Sequence, residues 1–336
     1  MTRPRRAVDV PALVDQACEG SARAVGRLIS LVEDASPALR EVMALLAPRA
    51  GSARVVGLTG SPGVGKSTST SALVAAYRRR GLRVGVLAVD PSSPFSGGAL
   101  LGDRVRMQEH ATDDGVFIRS MASRGHLGGL SWATPQALRV LSAAGCDVVL
   151  VETVGVGQAE VEVARLADTT LVLLAPGMGD GIQAAKAGIL EVADVFVVNK
   201  ADRDGADQVV RDLRNMQSLA TTAPSQARVD GQWVAPVVKT VASRGEGADE
   251  VVDRIEEHAA WMVAHGVLEQ RRRSRATDEL EAIALTVLRS RMGDLGGGGA
   301  RERLAALVVQ GALDPYTAAD RLVEAVTGAA ADGVPA

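Results

Sequence analysis

Through the middle of the chain, short unbroken apolar runs alternate with helix-length segments. The runs are Val55–Leu58, Val84–Val89, Val116–Ile118, Val148–Val151, Thr170–Leu174, Val195–Val198 and Val237–Val238. A strand that is apolar at every position, rather than at every second one, is buried on both faces. Sheets built of such strands are parallel and covered by helices on both sides. Between the runs lie Lys66–Arg80 and Pro135–Ala144, of helical length, and further helices start near Asp180 and Asp204. The alternation predicts an α/β fold with a mostly parallel, doubly wound sheet.

Both ends read differently. Residues 1–50 read as helices. Ser36-Pro37 offers a serine N-cap with proline at the first helical position, and Leu39, Val42, Met43, Leu45 and Leu46 then form one apolar face. After Gly266 the strand pattern stops. A long charged helix is predicted from about Leu268 to Met292, then a glycine run at Gly296–Gly299, then two short helices, the second opened by Asp314-Pro315. The chain therefore divides into an N-terminal helical extension (1–52), a central α/β domain (53–265) and a C-terminal helical segment (266–336). Leu280, Ile283, Ala284, Val287 and Leu288 have no sheet to cover them and need a partner surface, which predicts a homodimer assembled through this segment. Arg271-Arg272-Arg273-Ser274-Arg275 reads as a solvated helix face paired with Glu269, Asp278 and Glu279; binding of phosphate or of an acidic surface is the other reading.

Composition narrows the classes. Of 336 residues, 47% are hydrophobic but only 2% aromatic, so the core must be aliphatic. A net charge of −3 leaves no footprint for nucleic acid. Cys18 and Cys146 stand alone and the four histidines are scattered, which speaks against a disulfide framework or a cysteine-based zinc site. The basic start, Met-Thr-Arg-Pro-Arg-Arg, leads into no apolar stretch, and no apolar run approaches a membrane span. A cytoplasmic protein without membrane contact is the expectation.

The chemistry begins at Gly60-Ser61-Pro62-Gly63-Val64-Gly65-Lys66-Ser67, followed by Thr68. The segment fits G-x-x-x-x-G-K-[ST], follows a strand and opens a helix, the context that a phosphate-binding P-loop requires. Glycines let the backbone wrap phosphate oxygens, and the N–H groups of the helix start carry positive potential. Lys66 is assigned to the β- and γ-phosphates and the Ser67 hydroxyl to Mg²⁺. This is the signature of a P-loop NTPase.

Acids at strand ends supply the candidate metal and switch groups. Asp90 closes the second run, ahead of a loop rich in Ser, Pro and Gly, and Asp103 follows that loop. Glu152-Thr153-Val154-Gly155 closes the fourth run. Many GTPases carry Asp-x-x-Gly here, with the acid behind Mg²⁺ and the glycine N–H on the γ-phosphate, so Glu152 is a metal candidate and Gly155 a catalytic one. The residue after Gly155 is Val156, which cannot hold a water, and Gln158 lies two further on. Slow intrinsic hydrolysis is therefore expected.

The base is read at Asn199-Lys200-Ala201-Asp202, an N-K-x-D motif at the end of a strand. One carboxylate can accept two hydrogen bonds at once. Guanine presents N1–H and its 2-amino group side by side and adenine does not, so Asp202 selects GTP and GDP. Lys200 is expected to lay its stem along the base and Asn199 to tie this loop to the phosphate loop. Thr240-Val241-Ala242 stands where a small-residue loop meets guanine O6, with Val241 and Ala242 as the contacts.

Gly60–Thr68, Asp90-Pro91-Ser92-Ser93, Glu152-Thr153-Val154-Gly155-Val156-Gly157-Gln158 and Asn199–Asp202 together resemble the MeaB/ArgK GTPases, and the likeness spans nearly the whole chain. The resemblance implies a chaperone of the adenosylcobalamin-dependent methylmalonyl-CoA mutase. Such proteins gate cobalamin delivery from an adenosyltransferase, protect or rescue the mutase, and are homodimers through C-terminal helices. Pro176–Lys186 resembles the third switch of the family, with Gly181-Ile182-Gln183 where Glu-Leu-Gln is usual, and Lys186 is a candidate for supplying positive charge there. Two other readings remain: a metal-inserting GTPase metallochaperone, whose relatives usually carry Cys- or His-rich motifs, and a small-substrate kinase, disfavoured by Asn199–Asp202.

Overall fold

The structure, a computed structural model, describes residues 8–49, 51, 53–90, 108–110, 112–122, 133–153, 159–177, 192–222, 231–295 and 300–331. Residues Met1–Arg272 form one compact unit and Arg273–Ala336 a second. The first unit opens with three helices, α1 (Val10–Cys18), α2 (Ala22–Glu33) and α3 (Leu39–Leu46). The alternating region then gives β1 (Arg54–Thr59), α4 (Lys66–Arg79), β2 (Val84–Asp90), β3 (Val116–Ala122), α5 (Thr134–Ala143), β4 (Val148–Thr153), α6 (Ala159–Leu166), β5 (Thr169–Leu174), β6 (Val195–Val198), α7 (Ala206–Thr222), β7 (Val237–Lys239) and α8 (Ala248–Ala264).

All seven predicted strands are present. They form one parallel sheet in the order β3-β2-β4-β1-β5-β6-β7. The register sets Val55 beside Val149 and Leu58 beside Glu152, and Leu58 beside Leu171 on the other side. Every residue of β4, β5 and β6 is buried, as expected for a sheet covered on both faces. On one face α1, α2, α3 and α5 pack over Leu87, Val89, Val149 and Val151. On the other, Leu73, Val74 and Tyr77 of α4 and Val251, Val252 and Ile255 of α8 pack over Val56, Leu58, Val86 and Leu150.

The helix start expected at Ser36-Pro37 falls later. Ser36 Oγ instead accepts from Ala38 N (3.3 Å) in a turn, and α3 begins at Leu39 without a side-chain cap. The helix expected near Asp180 lies outside the described residues.

The long helix α9 runs Val267–Leu295, so the division between the two units falls inside it. Its arginine run departs from both sequence readings at its first two positions. Arg271 forks onto the buried carboxylate of Asp194, just before β6, with both nitrogens at 2.9 Å. Arg272 Nη2 meets Asp168, just before β5, at 3.0 Å. These carboxylates also accept from backbone N–H groups of the sheet, Asp168 from Val55 and Asp194 from Thr170. They belong to the strands' starting edge, not to the helix's own acids. The second unit holds the rest of α9 with α10 (Ala300–Val309) and α11 (Pro315–Ala331). Leu280, Ile283, Leu285, Leu288, Val309 and Tyr316 are exposed there.

Candidate functional site

In a parallel sheet with helices on both faces, ligands bind beyond the carboxyl ends of the strands. The loop from Gly60 to Gly65 lies there, between β1 and α4. Two of its glycines are dictated by packing. Gly60 has φ +143°, and a Cβ there would lie 2.4 Å from the carbonyl oxygen of Leu173. Gly65, the N-cap of α4, has φ +97°, and a Cβ would meet Asn199 Nδ2 at 2.5 Å. An N-cap without a side chain leaves the helix start to backbone N–H groups, the arrangement that binds phosphate.

Lys66 and Ser67 open α4 and are buried, whereas Thr68 is exposed. Lys66 Nζ donates to Gly60 O (2.7 Å) and Ser61 O (3.2 Å), so its charge lies across the mouth of the loop. Ser67 Oγ donates to Glu152 Oε1 at 2.6 Å, and Thr70 Oγ1, one helical turn further, donates to Oε2 at 2.8 Å. Glu152 is only 4% exposed, so two hydroxyls of α4 hold a buried carboxylate directly. Thr70 carries no motif signal. Ser71, next to it, bonds Glu109 and His110 Nε2 (2.9 Å), which ties α4 to the short turn Gln108–His110.

The base motif follows β6. Asn199 is 3% exposed and spends both ends of its amide on neighbouring loops. Its Nδ2 donates to Val64 O at 2.8 Å. Its Oδ1 accepts from Ala242 N at 3.0 Å and from Thr240 Oγ1 at 3.2 Å. The expected tie to the phosphate loop is thus present, and the same side chain also fixes the loop holding Val241 and Ala242. Lys200 adopts a left-handed backbone (φ +57°), and its Nζ donates to Gly63 O at 2.6 Å, a second strut between the two loops. Asp202 is half-exposed, with Arg244 Nη1 at 3.8 Å from its Oδ2. The structure thus brings together Gly60, Ser61, Pro62, Gly63, Val64, Gly65, Lys66, Ser67 and Thr68 with Glu152, Asn199, Lys200, Asp202, Val241 and Ala242. Asp90 ends β2 at the same edge of the sheet, beside Ala122. Asp103, Gly155 and Lys186 lie outside the described residues.

The starting edge of the sheet carries a separate cluster. His258 of α8 is fully buried, with Nδ1 at 2.9 Å from Thr169 Oγ1 and Nε2 at 3.3 Å from Asp194. Burial pushes its pKa below the ordinary histidine value; Asp194 opposes that shift and Arg271 adds to it. Trp233 and Trp261 pack on its ring, with centroids at 4.9 and 5.9 Å. Sequence reading took the four histidines as surface or capping residues, which fails at His258 because it is fully buried on α8. Only its spacing from Trp261 on one helix face carried a signal.

Comparison with known proteins points one way. The family model "Methylmalonyl Co-A mutase-associated GTPase MeaB" matches residues 25–294. A Pyrococcus abyssi protein that carries a GTPase designation is 46% identical over 316 residues, which cover 94% of this chain and 96% of that one. The GTPase ArgK of Escherichia coli is 38% identical over 266 residues, covering 78% of this chain and 80% of its own length. Among solved structures, an LAO/AO transport system kinase superposes with a TM-score of 0.67 at 27% identity, covering 97% of this chain and all of that one.

Proposed function

This chain belongs to the MeaB family of GTPases, and from that premise we propose that it is a nucleotide-gated chaperone of an adenosylcobalamin-dependent acyl-CoA mutase, methylmalonyl-CoA mutase by the family's description. In this reading it gates the delivery of cobalamin from an adenosyltransferase to the mutase, and protects or rescues the mutase. The observation that carries the reading is the match of the mutase-associated family model over residues 25–294, which take in the whole nucleotide site.

The chain's own residues divide the work. Asp202 accepts the two guanine N–H groups, while Asn199 and Lys200 hold the base loop at a fixed distance from the phosphate loop. Lys66 places its ammonium against the β- and γ-phosphates, where negative charge accumulates during transfer. Ser67 and Glu152 suit Mg²⁺: both are hard oxygen donors, both are buried, and they touch at the first turn of α4. Mg²⁺ takes few protein oxygens beside substrate phosphates. Ser67 would be the ligand and Glu152 the acid behind it, with Asp90 and Asp103 as further acids; the ion neutralises phosphate charge. Gly155 N–H serves the γ-phosphate, and Lys186 supplies positive charge when the partner is bound. The exposed apolar residues of the second unit support a homodimer formed there.

The test is GTP turnover of the isolated chain, and of a mixture with the mutase encoded in the same cell. Slow turnover alone and faster turnover in the mixture is the expected result. Fast turnover that the mutase leaves unchanged would refute the gating. The name of the solved relative gives a second reading, phosphoryl transfer to an acceptor; preference for ATP and a phosphorylated acceptor would establish it instead.

A further inference from the structure

We propose that Arg244, fixed by Glu246, is a positioning residue that sets the plane of the Asp202 carboxylate for reading guanine. The proposal rests on the base-reading role of Asp202.

An aspartate carboxylate does not fix its own plane. The torsion that turns it is broad and nearly two-fold, yet guanine needs both oxygens in the plane of N1–H and the 2-amino group. Something outside Asp202 must hold that plane. Arg244 is placed to do so. Its Nε donates to Glu246 Oε1 at 2.7 Å and its Nη2 approaches Glu246 Oε2 at 3.3 Å, so one edge of the guanidinium is occupied by a carboxylate two residues away. The remaining nitrogen, Nη1, faces Asp202 Oδ2 at 3.8 Å. At 3.8 Å this contact is an ion pair rather than a hydrogen bond. The planar guanidinium, held on Glu246 by two of its nitrogens, fixes where the charge stands beside Oδ2 in a way that a lysine ammonium cannot. A carboxylate has about four lone-pair sites, so one arginine beside Oδ2 leaves positions for the base.

The loop that carries Arg244 is itself fixed. Val241 N donates to Glu246 O at 3.0 Å and closes the turn. Gly247 sits so close to Lys239 that a Cβ would lie 2.4 Å from its carbonyl oxygen. Ala242 N is bound to Asn199, and Ala201 N to Thr240 O at 3.0 Å. Arg244 therefore approaches Asp202 from a frame already bolted to the base motif.

The experiment compares binding of GDP with that of inosine diphosphate, which lacks the 2-amino group, in the wild type and in Arg244→Ala, Arg244→Lys and Asp202→Ala, by calorimetry at low and high salt. Both Arg244 and Asp202 are about half-exposed, so the pair is weak and screened. Arg244→Ala should reduce the GDP preference by about two- to fivefold, less at high salt. Arg244→Lys should fall between. An Arg244→Ala protein that loses GDP and inosine diphosphate affinity equally, or neither, overturns the proposal. If Asp202→Ala keeps the full GDP preference, the base-reading assignment fails and takes the proposal with it. If Asp202→Ala abolishes the preference while Arg244→Ala keeps it, only the role of Arg244 is lost.

Discussion

Replacing Asn199 by alanine tests the joint between the two halves of the nucleotide site. The side chain is buried and makes three hydrogen bonds, to Val64 O, Ala242 N and Thr240 Oγ1. The Thr240 hydroxyl can rotate to another acceptor. The carbonyl of Val64 and the N–H of Ala242 cannot move without their loops. Two orphaned buried groups cost about 1–3 kcal/mol each, and a water entering the vacated space recovers part of this. A loss of about 2–4 kcal/mol is expected, against a typical domain stability of about 5–15 kcal/mol, so the variant should fold but be fragile. The phosphate loop and the base loop would then be held together more weakly, through Lys200 Nζ on Gly63 O, and part of their ordering would fall on ligand binding. If about 1.4 kcal/mol of that ordering falls on the binding step, GDP affinity drops about tenfold. Asn199→Asp should be at least as harmful, because its second oxygen would face the Val64 carbonyl and carry a buried charge. Urea unfolding followed by circular dichroism, with and without GDP, and calorimetric titration of GDP read both effects. An Asn199→Ala protein within about 0.5 kcal/mol of wild type and with unchanged GDP affinity would refute the coupling.

Lys66→Ala should abolish GTP turnover and weaken GTP more than GDP, because its charge serves the terminal phosphates; near-normal turnover would remove Lys66 from the mechanism. His258 is held below the ordinary histidine range by burial. The unfolded chain therefore takes up a proton below about pH 6.5 that the folded chain resists, and stability should fall as pH drops through that value. His258→Gln should flatten this part of the stability-against-pH curve, and an unaltered slope would sink the argument. Burial pushes the Cys146 thiol up to about 11, so iodoacetamide at pH 8 should label half-buried Cys18 and spare Cys146 until the protein unfolds. Peptide mass spectrometry showing equal labelling in the native protein would contradict it.

The sheet was legible because its signal is local. Each strand is a short run dominated by Val and Leu, with Gly, Ala, Phe or Ile among them, and burial on both faces favours such apolar composition in a parallel strand. The phosphate loop and Asn199 were legible because phosphate binding forces glycines at fixed spacing, and the Asn199 tie follows from its motif. Arg271 and Arg272 were misread because their partners lie 77 and 104 residues earlier in the chain. Nothing in a helical charge run distinguishes a cation facing solvent from one folded onto a sheet edge. Arg244 was missed for a related reason: its value depends on a turn that brings residue 244 back to residue 202. Ser36-Pro37 was misread as a helix start because the same residues serve a turn: Ser36 binds Ala38 N, and the helix begins three residues after the serine.

The placement of the indoles gives this protein a built-in optical probe. Trp233 and Trp261 sit 5.8 Å apart on His258 and His265, at the strands' starting edge, while the nucleotide loops occupy the finishing edge. The third tryptophan is Trp132, outside the described residues. With Trp132 replaced by Phe, indole emission, excited where tyrosine does not absorb, would arise from the Trp233–Trp261 pair alone. No bound nucleotide could touch those rings. A change in their emission on exchange of GDP for GTP would then be a message carried through the sheet, and silence would show that the message stops short of its far edge.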